Sequence, residues 1–166
     1  AVRSLVVALV LTALFLVAVY ELLVDYATLG LVNLVPILVT VTFIAGSMRA
    51  LGVPFNALTA TILSITIGLG IDYSAHIVHR FADEFDPDAS ADVFPAIERT
   101  VRGTGGALTG SMLTTTSGIG VLVLAFTPVL GQFGLITALS VFYSYLAAVV
   151  VTPSVIVAWH RLVVTE

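Results

Sequence analysis

Between Gly103 and His160 the chain reads GTGGALTGSMLTTTSGIGVLVLAFTPVLGQFGLITALSVFYSYLAAVVVTPSVIVAWH. These 58 residues contain no Asp, Glu, Lys or Arg. A helix that crosses the ~30 Å hydrocarbon core of a bilayer needs about 20 residues, so the segment is too long for one span and long enough for two. The turn signal formed by Thr127, Pro128 and Gly131 divides it, which predicts a membrane-spanning helix on each side.

Gaps between charges also define the spans in the first half of the chain. Residues 4–20 and 26–48 carry no charge, and residues 50–79 carry a single one, Asp72. Short turns separate the apolar segments, except for a longer connector over 81–103. The pattern predicts one transmembrane domain over 1–166, with five helices at about 4–22, 28–49, 55–80, 104–126 and 132–160.

The composition agrees with an all-α polytopic membrane protein. Of the 166 residues 59% are hydrophobic and 10% are charged, against about 25% charged in a soluble domain, and the mean hydropathy is +1.15. The chain has six basic residues, all arginine, and ten acidic residues. This excess of negative charge excludes a nucleic-acid partner, which would require a basic surface. Cys is absent, so disulfides, thiolate chemistry and Cys-based zinc sites are excluded. We expect no cofactor.

The arginines predict the orientation. Five spans place the connector and the C-terminus on one side, which carries four arginines against two on the other. By the positive-inside rule the four-arginine side is cytoplasmic. We therefore expect a protein of the cell membrane whose N-terminus lies outside the cell and whose C-terminus is cytoplasmic. The chain begins at Ala1 without Met or a signal pattern. We therefore expect a parent protein with at least one more span before Ala1.

The connector over 81–103 is acidic, and apolar residues recur in it at helical spacing. Val93, Phe94, Ile97 and Val101 predict a short amphipathic helix between about 89 and 102 on the cytoplasmic face. The alternative is a solvated connector that packs one apolar stripe.

Asp72 is the most informative residue of the chain. A charged group at the bilayer centre costs roughly 2.5–3.5 kcal/mol on insertion scales, so such groups usually serve a function. We predict a proton-binding role. Gly68 and Gly70 precede it and would allow another helix to approach closely, and the Tyr73 hydroxyl could relay a proton. The alternative is an Asp that only hydrogen-bonds a neighbouring helix.

Hydroxyl groups of the next helix extend this prediction. Ser111, Thr114 and Thr115 follow the start of the fourth predicted helix at a depth that brings them level with Asp72. They could hold water or pass protons, and His76 could continue the path to the cytoplasm. Alternatively, the hydroxyls satisfy carbonyls of their own helix.

A metal site is a rival interpretation of the same helix. Asp72, His76 and His79 follow each other at i, i+4 and i+7, on one helix face. The sequence has no HExxH motif and no further ligand nearby, so we predict no metal site.

The run GLGIDYSAHIVHRF, from Gly68 to Phe81, resembles the RND superfamily of membrane transporters. It looks closest to archaeal RND-type exporters and to the MMPL (mycobacterial membrane protein large) branch, with kinship to hopanoid transporters and sterol-sensing domains. Two further motifs support the resemblance: RGTGGA from Arg102 to Ala107, and QFGLITAL from Gln132 to Leu139. The resemblance covers almost the whole chain.

The resemblance implies helices two to six of a six-helix half, without the first helix and the extracytoplasmic domain that follows it. It also implies a secondary transporter, not an enzyme, in which protons passing the fourth helix drive the export of lipids or other hydrophobic molecules. Asp72 and Tyr73 match the family's proton-path pair, hydroxyl partners fall near Ser111 to Thr115, and a second RND half would face Asp72. The alternatives are a non-transporting lipid or sterol sensor of the same fold and an accessory subunit of Sec-type protein export.

Overall fold

The computed structural model describes residues 2–24, 27–85 and 92–164. Asp86 and Asp88 of the predicted connector, and Asp25 and Tyr26 between the first two spans, lie outside the described residues. The helices are listed here in chain order: α1 Val2–Val24, α2 Ala27–Val32, α3 Leu34–Ala50, α4 Ala57–Glu84, α5 Phe94–Gly120, α6 Pro128–Leu146 and α7 Thr152–Trp159. A 3₁₀ turn, Val121–Leu124, extends α5, and two π-helical segments, Ala147–Val151 and His160–Val164, flank α7.

Among the described residues, four helical runs are long and apolar enough to cross a membrane. They are Thr28–Ala50, Ala57–Glu84, Phe94–Leu124 and Pro128–Leu162, and α1 adds a shorter apolar stretch, Val6–Leu22. The described residues form no strand. The prediction of an all-α polytopic membrane protein is confirmed, and each of the five predicted apolar segments falls largely within one of these runs.

The connector differs from its prediction. The separate surface helix is not formed by the described residues: α4 continues to Glu84, and residues 94–103 are the first turns of α5. Pro95 is tolerated because it stands at the start of the helix, where its missing N–H costs nothing. Of the predicted apolar stripe, Val93 and Ile97 pack into the core, whereas Phe94 is 58% exposed.

A carboxylate holds the ends of this connector together. Glu84, at the end of α4, pairs with Arg80 of the same helix and accepts a 2.9 Å hydrogen bond from Nε of Arg99 in α5. The Arg99 guanidinium also donates to the backbone carbonyl of Glu84, at 3.1 Å. We call this arrangement the Glu84 clamp.

Helix α4 lies against α1, α3, α5 and α6. Between α4 and α6 the hydroxyl of Thr66 donates to Ser140 Oγ at 2.8 Å, and both residues are fully buried. Interhelical hydrogen bonds of this kind hold helices together where lipid provides no hydrophobic drive. Small residues allow close approach elsewhere: a Cβ at Gly30 of α2 would lie 2.8 Å from the carbonyl oxygen of Leu16 in α1.

Helix α5 is the least covered span. In the most apolar 18-residue stretch of Phe94–Leu124, 11% of the residues are buried inside the bundle. In the corresponding stretch of Ala57–Glu84, 50% are buried. One side of α5 therefore faces away from the rest of the chain.

Candidate functional site

Asp72 lies near the middle of α4, 15 residues after Ala57 and 12 before Glu84. At 1.5 Å per residue these intervals are about 22 and 18 Å, which places the carboxylate deep in the span. Its side chain is 78% exposed, on the outside of the bundle that the described residues form. An acid at this depth and with this exposure would face lipid unless another protein element covers it.

His76 is the neighbour of Asp72 on the same helix face. Its Nε2 lies 3.6 Å from Asp72 Oδ1, an ion-pair distance when the imidazole is protonated, and its side chain is 62% exposed. His79, one turn further, is also exposed. Across residues 2–24, 27–85 and 92–164, no three His, Cys, Asp or Glu side chains come close enough together to hold a metal ion.

Tyr73 points into the bundle, away from the face of Asp72. Successive residues of an α-helix are turned by about 100°, and Tyr73 is buried, at 6% exposure. Its ring meets the ring of Tyr145 in α6 edge to face, with centroids 6.2 Å apart and an interplanar angle of 80°. No hydrogen bond joins Tyr73 to Asp72 among the described residues, so a relay between them would need water or a rearrangement.

The two predicted packing glycines also lie on different faces. Gly70 is buried, and a Cβ there would meet Ser144 Oγ of α6 at 3.0 Å. Gly68 shares the exposed face of Asp72, and a Cβ there would meet nothing within 4 Å. Gly70 therefore permits contact within this chain, and the face of Gly68 is open to a neighbour.

No hydrogen bond joins the predicted hydroxyls of α5 to Asp72 within the described part of the chain. Ser111 and Thr114 are exposed, and Thr114 donates to the carbonyl of Gly110 at 2.8 Å. Thr115 is half-buried. Their part in a proton path stays a prediction.

These hydroxyls belong to a broad exposed surface of small residues on α5. We call it the α5 small-residue face; its exposed members are Gly106, Ala107, Gly110, Ser111, Thr114, Ser117 and Gly118. A Cβ at Gly106, Gly110 or Gly118 would meet nothing within 4 Å. Small residues are typical of the surfaces through which membrane helices pack closely.

The sequence profile of the MMPL family matches residues 2–165, almost the whole chain. The chain belongs to the MMPL family. It is also 34% identical, over 132 residues, to a protein of Methanocaldococcus jannaschii that is named as a candidate membrane protein, MJ1562. The match covers 80% of this chain and 34% of that protein, so the chain spans about a third of the length of this relative. The resemblance predicted from the motifs is confirmed.

In this MMPL chain, one contact near the site was missed from the sequence. The hydroxyls of Tyr145 in α6 and Thr109 in α5 lie 2.7 Å apart, and the Tyr145 ring supports Tyr73. The signal was weak, because Tyr145 is one of several residues with a polar group in this span. Periodicity could not distinguish it from Tyr143, two residues earlier.

Proposed function

We propose that this chain is the transmembrane part of a proton-coupled RND/MMPL-type exporter of lipids or other hydrophobic molecules. MMPL proteins are a transporter family, and the chain is a multi-pass membrane protein. The observation that carries the proposal is Asp72: a carboxylate at mid-span, 78% exposed on the bundle surface.

An acid in this position can couple proton binding to movement. Protonated Asp72 is neutral and tolerates a dry, closed contact, whereas the charged form requires water or a polar partner. The membrane potential supplies about 2.3 kcal/mol per elementary charge per 100 mV. A site that opens alternately to the two sides, with a different proton affinity in each state, converts that energy into a change of conformation.

His76 lies one turn closer to the Glu84 end of α4 and 3.6 Å from Asp72. It is therefore suited to pass protons between Asp72 and that side, since imidazole gains and loses a proton near neutral pH. Tyr73 and the hydroxyls of Ser111, Thr114 and Thr115 would join the path once water enters between the helices.

A second RND half, from the same polypeptide or another copy, would cover the open surface. Two features of the bundle support this: the exposed carboxylate on α4 and the α5 small-residue face on the helix packed beside it. A carboxylate facing hydrocarbon is costly, and close helix packing over small residues would shield it. The charge distribution supports a cytoplasmic C-terminus and an external N-terminus in the cell membrane.

The proposal is tested by Asp72→Asn in the protein that carries this chain. Asparagine keeps the shape of the protonated acid but cannot release a proton, so insertion and folding should persist while efflux driven by a proton gradient is lost. Asp83→Asn is the matched control, because Asp83 is an exposed acid of the same helix at its connector end. Efflux of hydrophobic dyes and lipid analogues from proteoliposomes under an imposed pH gradient is the measurement.

Transport by Asp72→Asn at the unmodified rate would overturn the coupling role. If neither the unmodified protein nor the variant transports but both bind lipid or sterol, the sensor is the better assignment. Loss of transport in both Asp72→Asn and Asp83→Asn would mean that the effect is not specific to the intramembrane acid.

A further inference from the structure

Tyr145 joins three helices next to the site. It stands in the last turn of α6, its ring packs edge to face against Tyr73 of α4, and its hydroxyl contacts Thr109 of α5. Tyr73 directly follows Asp72 in the sequence. The side chain that supports Tyr73 is therefore also the one that ties α6 to α5.

The direction of the hydrogen bonds is fixed by counting protons. Thr109 Oγ1 donates to the backbone carbonyl of Gly105 at 2.7 Å. A hydroxyl has one proton, so in the 2.7 Å contact between Tyr145 and Thr109 the tyrosine must be the donor. This series of hydrogen bonds ends on the carbonyl of Gly105, which has no proton to donate. The series therefore cannot pass a proton onward. Its role is mechanical.

We infer that Tyr145 is a positioning residue that sets the rotation of α4 and thereby holds Asp72 on the outer face. Asp72 and Tyr73 turn together because they are neighbours on one helix. A rotation of α4 that moves Asp72 toward the interior must displace the Tyr73 ring against Tyr145, whose hydroxyl is fixed to α5. The inference rests on the proposed function in one respect only, that Asp72 is the coupling acid.

Few ionisable groups lie near Asp72. His76 is the neighbour on α4 itself. Among the described residues of the helices packed against α4, the ionisable side chains near this depth are Tyr145 and Tyr143 on α6 and Tyr20 on α1. Tyr20 donates to the carbonyl of Ala75 at 3.4 Å. Helix α5 contributes none between Thr104 and Gly120. If substitution of Tyr145 changes the pH dependence of the modification of Asp72, few other ionisable groups nearby could account for the change.

The experiment measures the ionisation of Asp72 without measuring transport. Dicyclohexylcarbodiimide modifies protonated carboxyl groups in apolar surroundings, and mass spectrometry of the peptide containing Asp72 gives the extent of modification at each pH in proteoliposomes. Asp72→Asn supplies the background. Tyr145→Phe keeps the ring and removes the hydroxyl, and Thr109→Val removes the acceptor from the other side.

Tyr143→Phe is the matched control. Tyr143 stands on the same helix, and its hydroxyl makes a comparable 2.9 Å bond, but to Ser47 of α3. Its loss removes one hydroxyl–hydroxyl contact from α6 without touching Tyr73 or α5. A general loosening of the bundle would affect both tyrosine variants alike.

We expect Tyr145→Phe and Thr109→Val each to shift the midpoint pH of modification by up to about one unit, the size of one hydrogen bond. The released α4 lets Asp72 leave the outer face, and the ionisation of a carboxyl group changes with its surroundings. The double variant should match either single one, because both remove the same bond, and Tyr143→Phe should leave the midpoint unchanged. An unchanged midpoint in Tyr145→Phe or Thr109→Val, or an equal shift in Tyr143→Phe, would overturn the inference. Transport by Asp72→Asn would instead overturn the proposed function, leaving the positioning result intact.

Discussion

Replacing Gly30 by alanine should separate α1 from α2. A Cβ at this position would lie 2.8 Å from the carbonyl oxygen and 2.9 Å from the carbonyl carbon of Leu16, and 3.1 Å from Cα of Val17. All three are backbone atoms, so no side-chain rotation can relieve the contact. The helices must move apart, and overpacking of this kind costs about 1–3 kcal/mol.

The matched control is Gly46→Ala on α3, where a Cβ meets nothing within 4 Å. Both substitutions replace a helical glycine, so both gain the higher helix propensity of alanine, about 1 kcal/mol in water. That gain cancels in the difference between the two variants. The free energy of unfolding of Gly30→Ala should therefore lie about 1–3 kcal/mol below that of Gly46→Ala, about 5- to 150-fold in the unfolding equilibrium constant.

Tryptophan fluorescence during SDS titration in detergent micelles provides the assay. The chain has one tryptophan, Trp159, whose indole N–H donates to Thr28 Oγ1 on α2 at 2.9 Å, two residues from Gly30. Its emission therefore reports on the docking of α2. Equal SDS midpoints for Gly30→Ala and Gly46→Ala would refute the close approach of α1 and α2.

Two further substitutions test the polar contacts of the bundle. Thr66→Val removes the donor to Ser140 and should cost about 0.6 kcal/mol, the average for an interhelical hydrogen bond in a membrane protein. Thr42→Val, which loses only a bond to its own helix, should cost less in the same titration, and equal losses would contradict the assignment. Glu84→Gln removes the charge of the Glu84 clamp and should lower the thermal midpoint at low salt but much less at high salt, because exposed pairs are screened. Glu98→Gln, which breaks a more exposed pair within α5, should change it less, and a salt-independent loss in Glu84→Gln would argue against an electrostatic clamp.

The sequence predicted the spans well because uncharged apolar segments of this length are typical of membrane-spanning helices and uncommon elsewhere. The position of Asp72 near the middle of α4 also followed, since counting residues from the helix ends suffices. The side on which Asp72 lies did not follow, because a stripe that contains Gly68, Asp72 and His76 is compatible with facing the bundle or facing a partner. Only the packing of α4 against the other helices resolves this, and the 78% exposure of Asp72 is its result.

Two features were outside the reach of pattern reasoning. The sequence pairs Asp72 with Tyr73 by adjacency, but the 100° turn between neighbouring residues sends one outward and the other inward. The charges of Glu98, Arg99 and Arg102 suggested an extramembrane connector, yet they lie in the first turns of α5. A long helix can emerge from the bilayer without a break, so charge alone does not mark its end.

The Glu84 clamp has a practical consequence for engineering. Because α4 packs against α5 and Glu84 also pairs with Arg99 between them, the chain that joins the two helices is not needed to hold them together. The entropy of closing a loop grows only slowly with its length, by about 0.6 kcal/mol for each doubling. A fluorescent protein or an epitope tag inserted between Phe85 and Asp92 should therefore leave the packing of α4 against α5 intact and report from the predicted cytoplasmic side.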